Sequence, residues 1–185
     1  LGFCLLFVFA SSWGQTFLLS IFQPYWMRSL RLDAGSMGVI YGGATLAIGL
    51  LLPWAGRWLD RASPVAAGTI TLLGLTCFSA LTAMIGSATW LALALFGLRF
   101  FGQGLSANVG TVNAARWFHH NRGKAISLAA LGFPIGEAVL PIIVTGSAVT
   151  LGWRATWWIL AAVGALGFIP LARALAARHP QSESD

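Results

Sequence analysis

The sequence predicts an all-α membrane protein built from six transmembrane helices. Of its 185 residues, 57% are hydrophobic and only 9% are charged, and the apolar residues are gathered into six long stretches. A helix needs about 20 predominantly apolar residues to cross the hydrocarbon core of a bilayer, and every stretch meets that length. The stretches are Leu1–Phe22, Ala34–Ala55, Val65–Ser87, Thr89–Asn113, Ala125–Thr150 and Trp153–Ala174.

A transmembrane β-barrel is the alternative to a helical bundle, because every backbone polar group inside a bilayer must be paired within the protein. Barrel strands alternate polar and apolar residues with a period of about two. The run Leu91–Leu98 is apolar throughout, and the other stretches also lack that alternation. The pattern therefore favours helices.

The positions of the basic residues predict the orientation of the helices. Seven of the eleven Lys and Arg residues fall in the second, fourth and last polar segments. Cytoplasmic loops carry the excess of basic residues, so we expect these segments and the N-terminus on the cytoplasmic side of a bacterial inner membrane. This placement also explains the net charge of +6 without nucleic acid as a partner.

The connections predict how neighbouring helices pack. The turns Gly86–Thr89 and Leu151–Gly152 are tight, so the helices that they join should be antiparallel neighbours. Longer loops are expected at Gln23–Asp33, Gly56–Pro64 and Ala114–Lys124, with Asp33 as an N-cap and Pro64 in a first turn. Residues 1–174 are predicted to form the bundle and residues 175–185 a cytoplasmic linker.

No cofactor, metal site or catalytic motif is predicted. Cys4 and Cys77 lie in apolar stretches and are not paired by spacing, and His119 and His120 have no Cys or acidic residue at ligand spacing. A six-helix intramembrane enzyme would need paired histidines, a serine with a base, or clustered acids. A non-transporting membrane scaffold is the other alternative to a transporter.

The end of the second apolar stretch carries a candidate gating motif, formed by Gly56, Asp60 and Arg61. A glycine permits close approach of helices, and an acid beside a base supplies a charge pair that can hold a helix end and release it. Basic residues alone would serve as membrane anchors, but that role does not explain Asp60.

These residues give the sequence its resemblance to the major facilitator superfamily. Gly56, Asp60 and Arg61 match the G-x-x-x-D-R signature between that family's second and third helices. Arg99 with Gly102 resembles its fourth-helix motif, and Gly152-Trp153-Arg154 resembles the start of its sixth helix.

The resemblance covers essentially the whole chain and implies the N-terminal half of a twelve-helix transporter. Such a half consists of two inverted three-helix repeats and alternates access with a C-terminal half. The chain begins with Leu1, without a leader, so we expect a piece of a longer protein. Its expected partners are the missing half, the lipid bilayer and a small-molecule substrate.

Two charged residues, Arg99 and Glu137, are predicted near the middle of the membrane, at a depth of about 15–18 Å. Charges at this depth are expensive and are usually functional or paired. One interpretation is a structural salt bridge between the fourth and fifth helices. The other is a functional pair that binds an anionic group and couples proton movement through Glu137, opening and closing during transport.

Uncharged polar and helix-bending residues complete the candidate site. Gln15 and Gln103 are expected in the cavity or between helices. The pairs Gly14-Gln15 and Gly102-Gln103 are a short internal echo. Bending and close packing of the fifth helix are expected at four residues, Gly132, Pro134, Gly136 and Pro141.

The sequence therefore predicts a secondary active transporter of a small solute, coupled to an ion or an exchange gradient. Arg99 favours an organic anion or metabolite as substrate. Drug or metabolite efflux is the alternative, and the aromatic residues Trp13, Phe22, Tyr25, Trp26 and Tyr41 are expected at interfaces and in packing.

Overall fold

A computed structural model describes residues 1–177, and these residues form helices without any strand. Six of the helical segments are long and apolar enough to cross a membrane, which confirms the all-α prediction. They are α1 (Gly2–Leu30), α2 (Ala34–Arg61), α3 (Pro64–Ala83), α4 (Ala88–Trp117), α5 (Arg122–Thr150) and α6 (Trp153–Ala177).

Most of the helices continue beyond the apolar stretches that predicted them, whereas α3 ends at Ala83 and does not reach the predicted Ser87. α1 reaches Leu30 and α2 reaches Arg61, so most of the loops predicted at Gln23–Asp33 and Gly56–Pro64 are helical. Hydropathy falls where a helix leaves the hydrocarbon, but the backbone ladder can continue through polar residues. α6 includes residues 175–177, and residues 178–185 of the predicted linker lie outside the described residues.

Side-chain caps set the starts of α2, α3 and α4. The Ser36 amide donates to Asp33 Oδ1 over 3.0 Å. Hydrogen bonding from the Ser36 side chain, and then from its amide, holds the pKa of Asp33 below its usual range because it favours the charged carboxylate. Ser63 accepts from the Ala66 amide ahead of Pro64, which occupies the first turn of α3. The predicted roles of Asp33 and Pro64 are confirmed.

The packing pattern relates α1–α3 to α4–α6 by a pseudo-two-fold axis. α1 packs against α4, and α3 packs against α6. α1 also packs against α5, and α4 packs in the equivalent way against α2. This pattern confirms the two inverted three-helix repeats.

The backbones of the two repeats meet closely where Gly14 of α1 crosses Gly102 of α4. A Cβ atom on Gly14 would lie 2.6 Å from the Gln103 backbone nitrogen, and one on Gly102 would lie 2.7 Å from the Gly14 nitrogen. No side chain fits between the backbones there. Helices in membranes use glycine for such close approach. The repeated pairs Gly14-Gln15 and Gly102-Gln103 therefore lie where the two helices are in contact.

Both helices depart from α-helical geometry at this crossing. In α1, Ser12–Gly14 form a 3₁₀ turn and Gln15 is extended, with φ −81° and ψ 152°. Ser11 donates to the Val8 carbonyl over 2.6 Å, and serine and glycine together are a common cause of kinks. In α4, Leu98–Ser106 form a π-helix, a geometry that is frequent at functional sites.

Arg154 at the start of α6 joins that helix to the end of α3. Its Nη1 donates to the Ala83 carbonyl over 2.9 Å and its Nη2 to the Ile85 carbonyl over 2.8 Å. The Ala83 carbonyl ends α3 and the Ile85 carbonyl follows in the turn, so neither has a helical partner of its own. Arg154 therefore fixes the end of α3 to the start of α6.

The backbone contact at Gly14 predicts that a single methyl group will separate α1 from α4. Overpacking of this kind typically costs about 1–3 kcal/mol, so Gly14→Ala should lower the thermal denaturation midpoint of the purified protein. Gly43→Ala is the matched control, because no described atom lies within 4 Å of a Cβ atom there. Equal midpoints for the two variants would contradict the contact.

Candidate functional site

Arg99 is the buried charge around which the candidate site is built. It lies in the second position of the π-helical segment of α4, and its exposed fraction is only 6%. The neighbouring backbone of α1 is broken at Gln15, so Thr16 begins a new helical segment beside it. The irregular segments of α1 and α4 thus bring a hydroxyl to the guanidinium.

Two hydroxyl groups hold one nitrogen of the Arg99 guanidinium. Nη1 donates to Tyr41 Oη of α2 and to Thr16 Oγ1 of α1, the latter over 3.3 Å. Tyr41 Oη in turn donates to Thr16 Oγ1 over 2.8 Å, and the Arg99 Cζ atom lies 4.7 Å from the centre of the Tyr41 ring. Three helices therefore meet at this group.

The sequence predicts interface and packing roles for Tyr41 and gives no signal for Thr16. Neither residue belongs to a motif, and they are 25 residues apart in the chain. The only signal available was a tyrosine at the depth of an unpaired arginine. Trp13, Phe22 and Trp26 do pack in the core, where Phe22 and Trp26 surround Trp157.

The positive charge of Arg99 has only neutral partners within residues 1–177. Its Nη1 is bound by hydroxyls, its Nε is buried without a hydrogen-bond acceptor, and its Nη2 forms no bond to the described residues. A buried charge is costly unless it is paired. The geometry therefore fixes the guanidinium in place but leaves its charge without a counterion.

Arg99 and Glu137 do not form the expected pair in this structure. Glu137 is exposed on α5, and among residues 1–177 the ion pair within 4.0 Å is between Arg116 and Asp60. The reason is the position of α1, which packs between the two helices at this level. α4 and α5 meet near their connection, where residues 107–117 contact residues 122–130.

Gln15 and Gln103 lie on either side of the glycine crossing. Both side chains are half-buried, and neither amide is hydrogen-bonded to the described part of the chain. Gln15 occupies the extended position that breaks α1, and Gln103 lies in the π-helix of α4. Their amides are free to bind water, solute or protein outside residues 1–177.

The glycines and prolines of α5 shape its contact with α1. Cβ atoms on Gly132 and Gly136 would lie 2.6 Å from the Leu5 carbonyl oxygen and 2.9 Å from Ser12 Cβ, respectively. α5 is interrupted at Leu131, three residues before Pro134, which has no amide to continue the ladder. Pro141 lies within the helix that follows. The two glycines thus allow α5 to pack closely against α1.

The candidate gating motif lies at the end of α2, where Asp60 is held by Arg116 of α4. Arg116 Nη2 donates to the Asp60 backbone carbonyl over 2.6 Å and lies 3.6 Å from Asp60 Oδ1. Arg61 is exposed and has no partner among the described residues. Gly56 borders a cavity of about 440 Å³ between α2 and α4, and no described helix packs on it.

The described residues contain no group of three or more His, Cys, Asp or Glu side chains that could bind a metal ion. The side chains that meet at Arg99 supply a fixed cation and two hydroxyl groups.

Comparison with known proteins identifies the family to which this arrangement belongs. A family model described as Major Facilitator Superfamily matches residues 4–185. The chain belongs to the Major Facilitator Superfamily. As a member with six membrane-length helices it is an integral membrane protein, and the family groups it with transporters rather than with enzymes.

Two curated relatives in the superfamily match the chain along much of its length. The riboflavin transporter RibJ of Trypanosoma brucei brucei is 29% identical over 181 residues, which are 94% of this chain and 32% of that protein. The MFS antiporter QDR3 of Candida albicans is 28% identical over 148 residues, 77% of this chain and 20% of that protein. The chain therefore spans a third or less of the length of these relatives. No solved structure gives a significant match.

We predict that Tyr41→Phe will destabilise the protein, because Arg99 then loses an acceptor that it cannot replace within the described residues. Hydrogen bonds to charged groups are typically worth about 1.5–3 kcal/mol. The matched control is Tyr25→Phe, since the Tyr25 hydroxyl forms no hydrogen bond in residues 1–177. Thermal denaturation of the purified variants should show a lower midpoint for Tyr41→Phe alone, and an unchanged midpoint would contradict the network.

The contact between Arg116 and Asp60 should depend on the backbone carbonyl more than on the carboxylate. Side-chain exposure is 34% for Arg116 and 67% for Asp60, and exposed ion pairs typically contribute about 0–1 kcal/mol. Asp60→Asn should therefore change the denaturation midpoint less than Arg116→Ala, which removes both contacts. Arg57→Ala serves as the control, because Arg57 is exposed one turn away. A larger effect of Asp60→Asn would show that the carboxylate dominates.

Proposed function

We propose that the chain is part of a secondary active transporter that moves a small organic anion across the membrane by alternating access. The observation that carries this proposal is the buried charge of Arg99, which has no counterion within residues 1–177. A carboxylate of the substrate would supply that counterion when it binds. A cationic solute would instead be repelled.

The environment of Arg99 suits an anion that binds and leaves. A permanent salt bridge would neutralise the guanidinium, whereas the hydroxyls of Thr16 and Tyr41 hold it without neutralising it. Arginine is well matched to carboxylates because its planar fork presents several N–H donors. The free Nη2 group extends the donor set, and the amide of Gln103, four residues further along the π-helical segment, would add to it.

Glu137 is proposed as the proton-coupling carboxylate. It is exposed on α5 and separate from Arg99, and a charged acid at mid-membrane depth is unfavourable against lipid. It therefore fits a water-filled cavity or an interface with further protein, where it can gain and lose a proton. Coupling by symport or by antiport is compatible with this position.

The faces of α2 and α5 favour a second half that completes the transporter. In the most apolar 18 residues of each helix, only 11% are buried within the described structure in α2 and 22% in α5, less than in the other helices. Pseudo-symmetry makes these two helices equivalent. We propose that a C-terminal half covers both, and that Gly56, Asp60 and Arg61 contact it at the end that we predict to be cytoplasmic.

Efflux or exchange is the second candidate function, and the MFS antiporter among the relatives favours including it. Riboflavin belongs in the same substrate panel because the other relative is named for its transport. The bacterial inner membrane and the cytoplasmic N-terminus are parts of the proposal. Both relatives come from eukaryotes.

The test is transport by the full-length protein in proteoliposomes, with organic acids, riboflavin and a cationic drug as solutes and with or without a pH gradient. Loss of a charge-assisted bond of about 1.5–3 kcal/mol should raise the KM for the preferred acid at least tenfold in Arg99→Gln. Arg99→Lys should retain part of the affinity. Glu137→Gln should abolish stimulation by the pH gradient while exchange of acid for acid persists.

Anion binding at Arg99 and proton coupling at Glu137 are contradicted by different results. Unchanged acid transport in Arg99→Gln would remove Arg99 from substrate binding, and preferred transport of the cationic drug would favour efflux. Full stimulation by the pH gradient in Glu137→Gln would remove that carboxylate from coupling. Arg57→Ala, which changes an exposed cation of the same chain, controls for general effects of charge.

A further inference from the structure

A second cavity opens beside the Arg99 site, between the second segment of α1 and the start of α2. Its volume is about 160 Å³, and Thr16 and Tyr41, the two residues that hold Arg99, form part of its wall. Such a space could hold about five water molecules, at roughly 30 Å³ each in the liquid. It therefore has room for the body of a small molecule but not for a large drug.

The wall of this cavity is apolar on one side and polar on the other. Leu19, Trp26 and Met37 form a buried apolar floor. Gln23 supplies an amide that has no hydrogen-bond partner among the described residues, and Ser20 Oγ donates to the Phe17 carbonyl over 2.9 Å and remains able to accept. The cavity thus combines hydrophobic contact with hydrogen bonding at its far end.

The spacing of the polar residues along α1 sets the length of the molecule that the cavity can hold. Thr16, Ser20 and Gln23 follow one another at helical intervals on the same face of α1, and Gln23 lies seven residues beyond Thr16. At about 1.5 Å per residue, the amide of Gln23 is attached about 10 Å along the helix from the Arg99 network. A carboxylate on Arg99 would therefore direct the rest of an extended molecule toward Gln23.

Gly38 keeps the cavity open on the α2 side. It lines the cavity, and no described atom lies within 4 Å of the position that a Cβ atom would occupy. A larger side chain at residue 38 therefore has room among the described helices, and we expect it to narrow the cavity that this residue lines.

We propose that this cavity is the specificity subsite for the substrate, and that it selects an extended monocarboxylate carrying a hydroxyl or carbonyl group near its far end. This inference rests on the proposed function, because it places the carboxylate on Arg99. The apolar chain of the acid lies on Leu19 and Met37, and its distal oxygen binds the amide of Gln23. Short acids occupy the Arg99 end and leave the cavity to water.

The test is binding to the purified full-length protein, measured by stabilisation against thermal denaturation. The probes are straight-chain monocarboxylates of roughly two to eight carbons, each with and without a terminal hydroxyl group. In Gly38→Leu the longer acids should bind at least about tenfold more weakly, a typical effect of losing pocket space for one methylene or more. The two-carbon acid should bind as in the wild type.

Gln23→Leu tests the polar end of the cavity, and Gly43→Leu is the matched control on α2. Gln23→Leu should remove the preference for hydroxylated over plain acids and leave the dependence on length unchanged. Gly43 does not line the cavity and has open space around it, so Gly43→Leu should keep the wild-type profile.

The two ways of failing are distinguishable. If acids bind to the wild type but Gly38→Leu and Gly43→Leu give the same dependence on length, the subsite is wrong and the anion site stands. If no monocarboxylate of any length stabilises the wild type, the proposed binding of organic anions fails with it.

Discussion

The backbone contact between Gly14 and Gly102 is the constraint on which the rest of the arrangement depends. It brings α1 and α4 closer than any side chain would permit, and it does so where both helices are irregular. The break at Gln15 turns Thr16 toward α4, and the π-helix of α4 carries Arg99 into the same space. In lipid, where helices associate by close packing rather than by the hydrophobic effect, such a contact also fixes the relative position of the two repeats.

The same constraint explains why the two intramembrane charges are separate. α1 is packed against α4 through Gly102 on one side and against α5 through Gly132 and Gly136 on the other. It therefore occupies the space that a salt bridge between Arg99 and Glu137 would need. Arg99 is held by neutral hydroxyls, and Glu137 faces away from the described bundle. The structure keeps two ionisable groups available instead of neutralising one with the other.

The sequence was sufficient for the helix number, because bilayer thickness and helical rise determine the length of an apolar span. The inverted repeats followed from the resemblance to the superfamily. The sequence was not sufficient for partners across helices. Hydropathy does not report which helix lies between two others, so the Arg99 and Glu137 pair was expected from adjacency along the chain. Tyr41 and Thr16 were missed for the same reason, since a hydroxyl at mid-membrane depth has no periodic or motif signal. The ends of α1, α2, α4 and α6 were placed too early because apolar composition ends before the helical backbone does, whereas the end of α3 was placed too late, at Ser87 instead of Ala83.

In the proposed function, α1 is the element through which the two charges would be coupled. An anion on Arg99 would act on a guanidinium bound to Thr16 of α1, and a proton on Glu137 would act on a helix whose glycines contact Leu5 and Ser12 of α1. The contact of Arg99 with α1 lies at Thr16, and the contacts of α5 with α1 lie at Leu5 and Ser12. The break at Gln15 separates these two sets of contacts. A break divides a helix into two segments that can tilt separately, whereas a continuous helix resists bending. The break therefore suits the proposed role of α1, in which one segment would respond to the anion and the other to the proton. Arg99 and Glu137 would then need no direct contact.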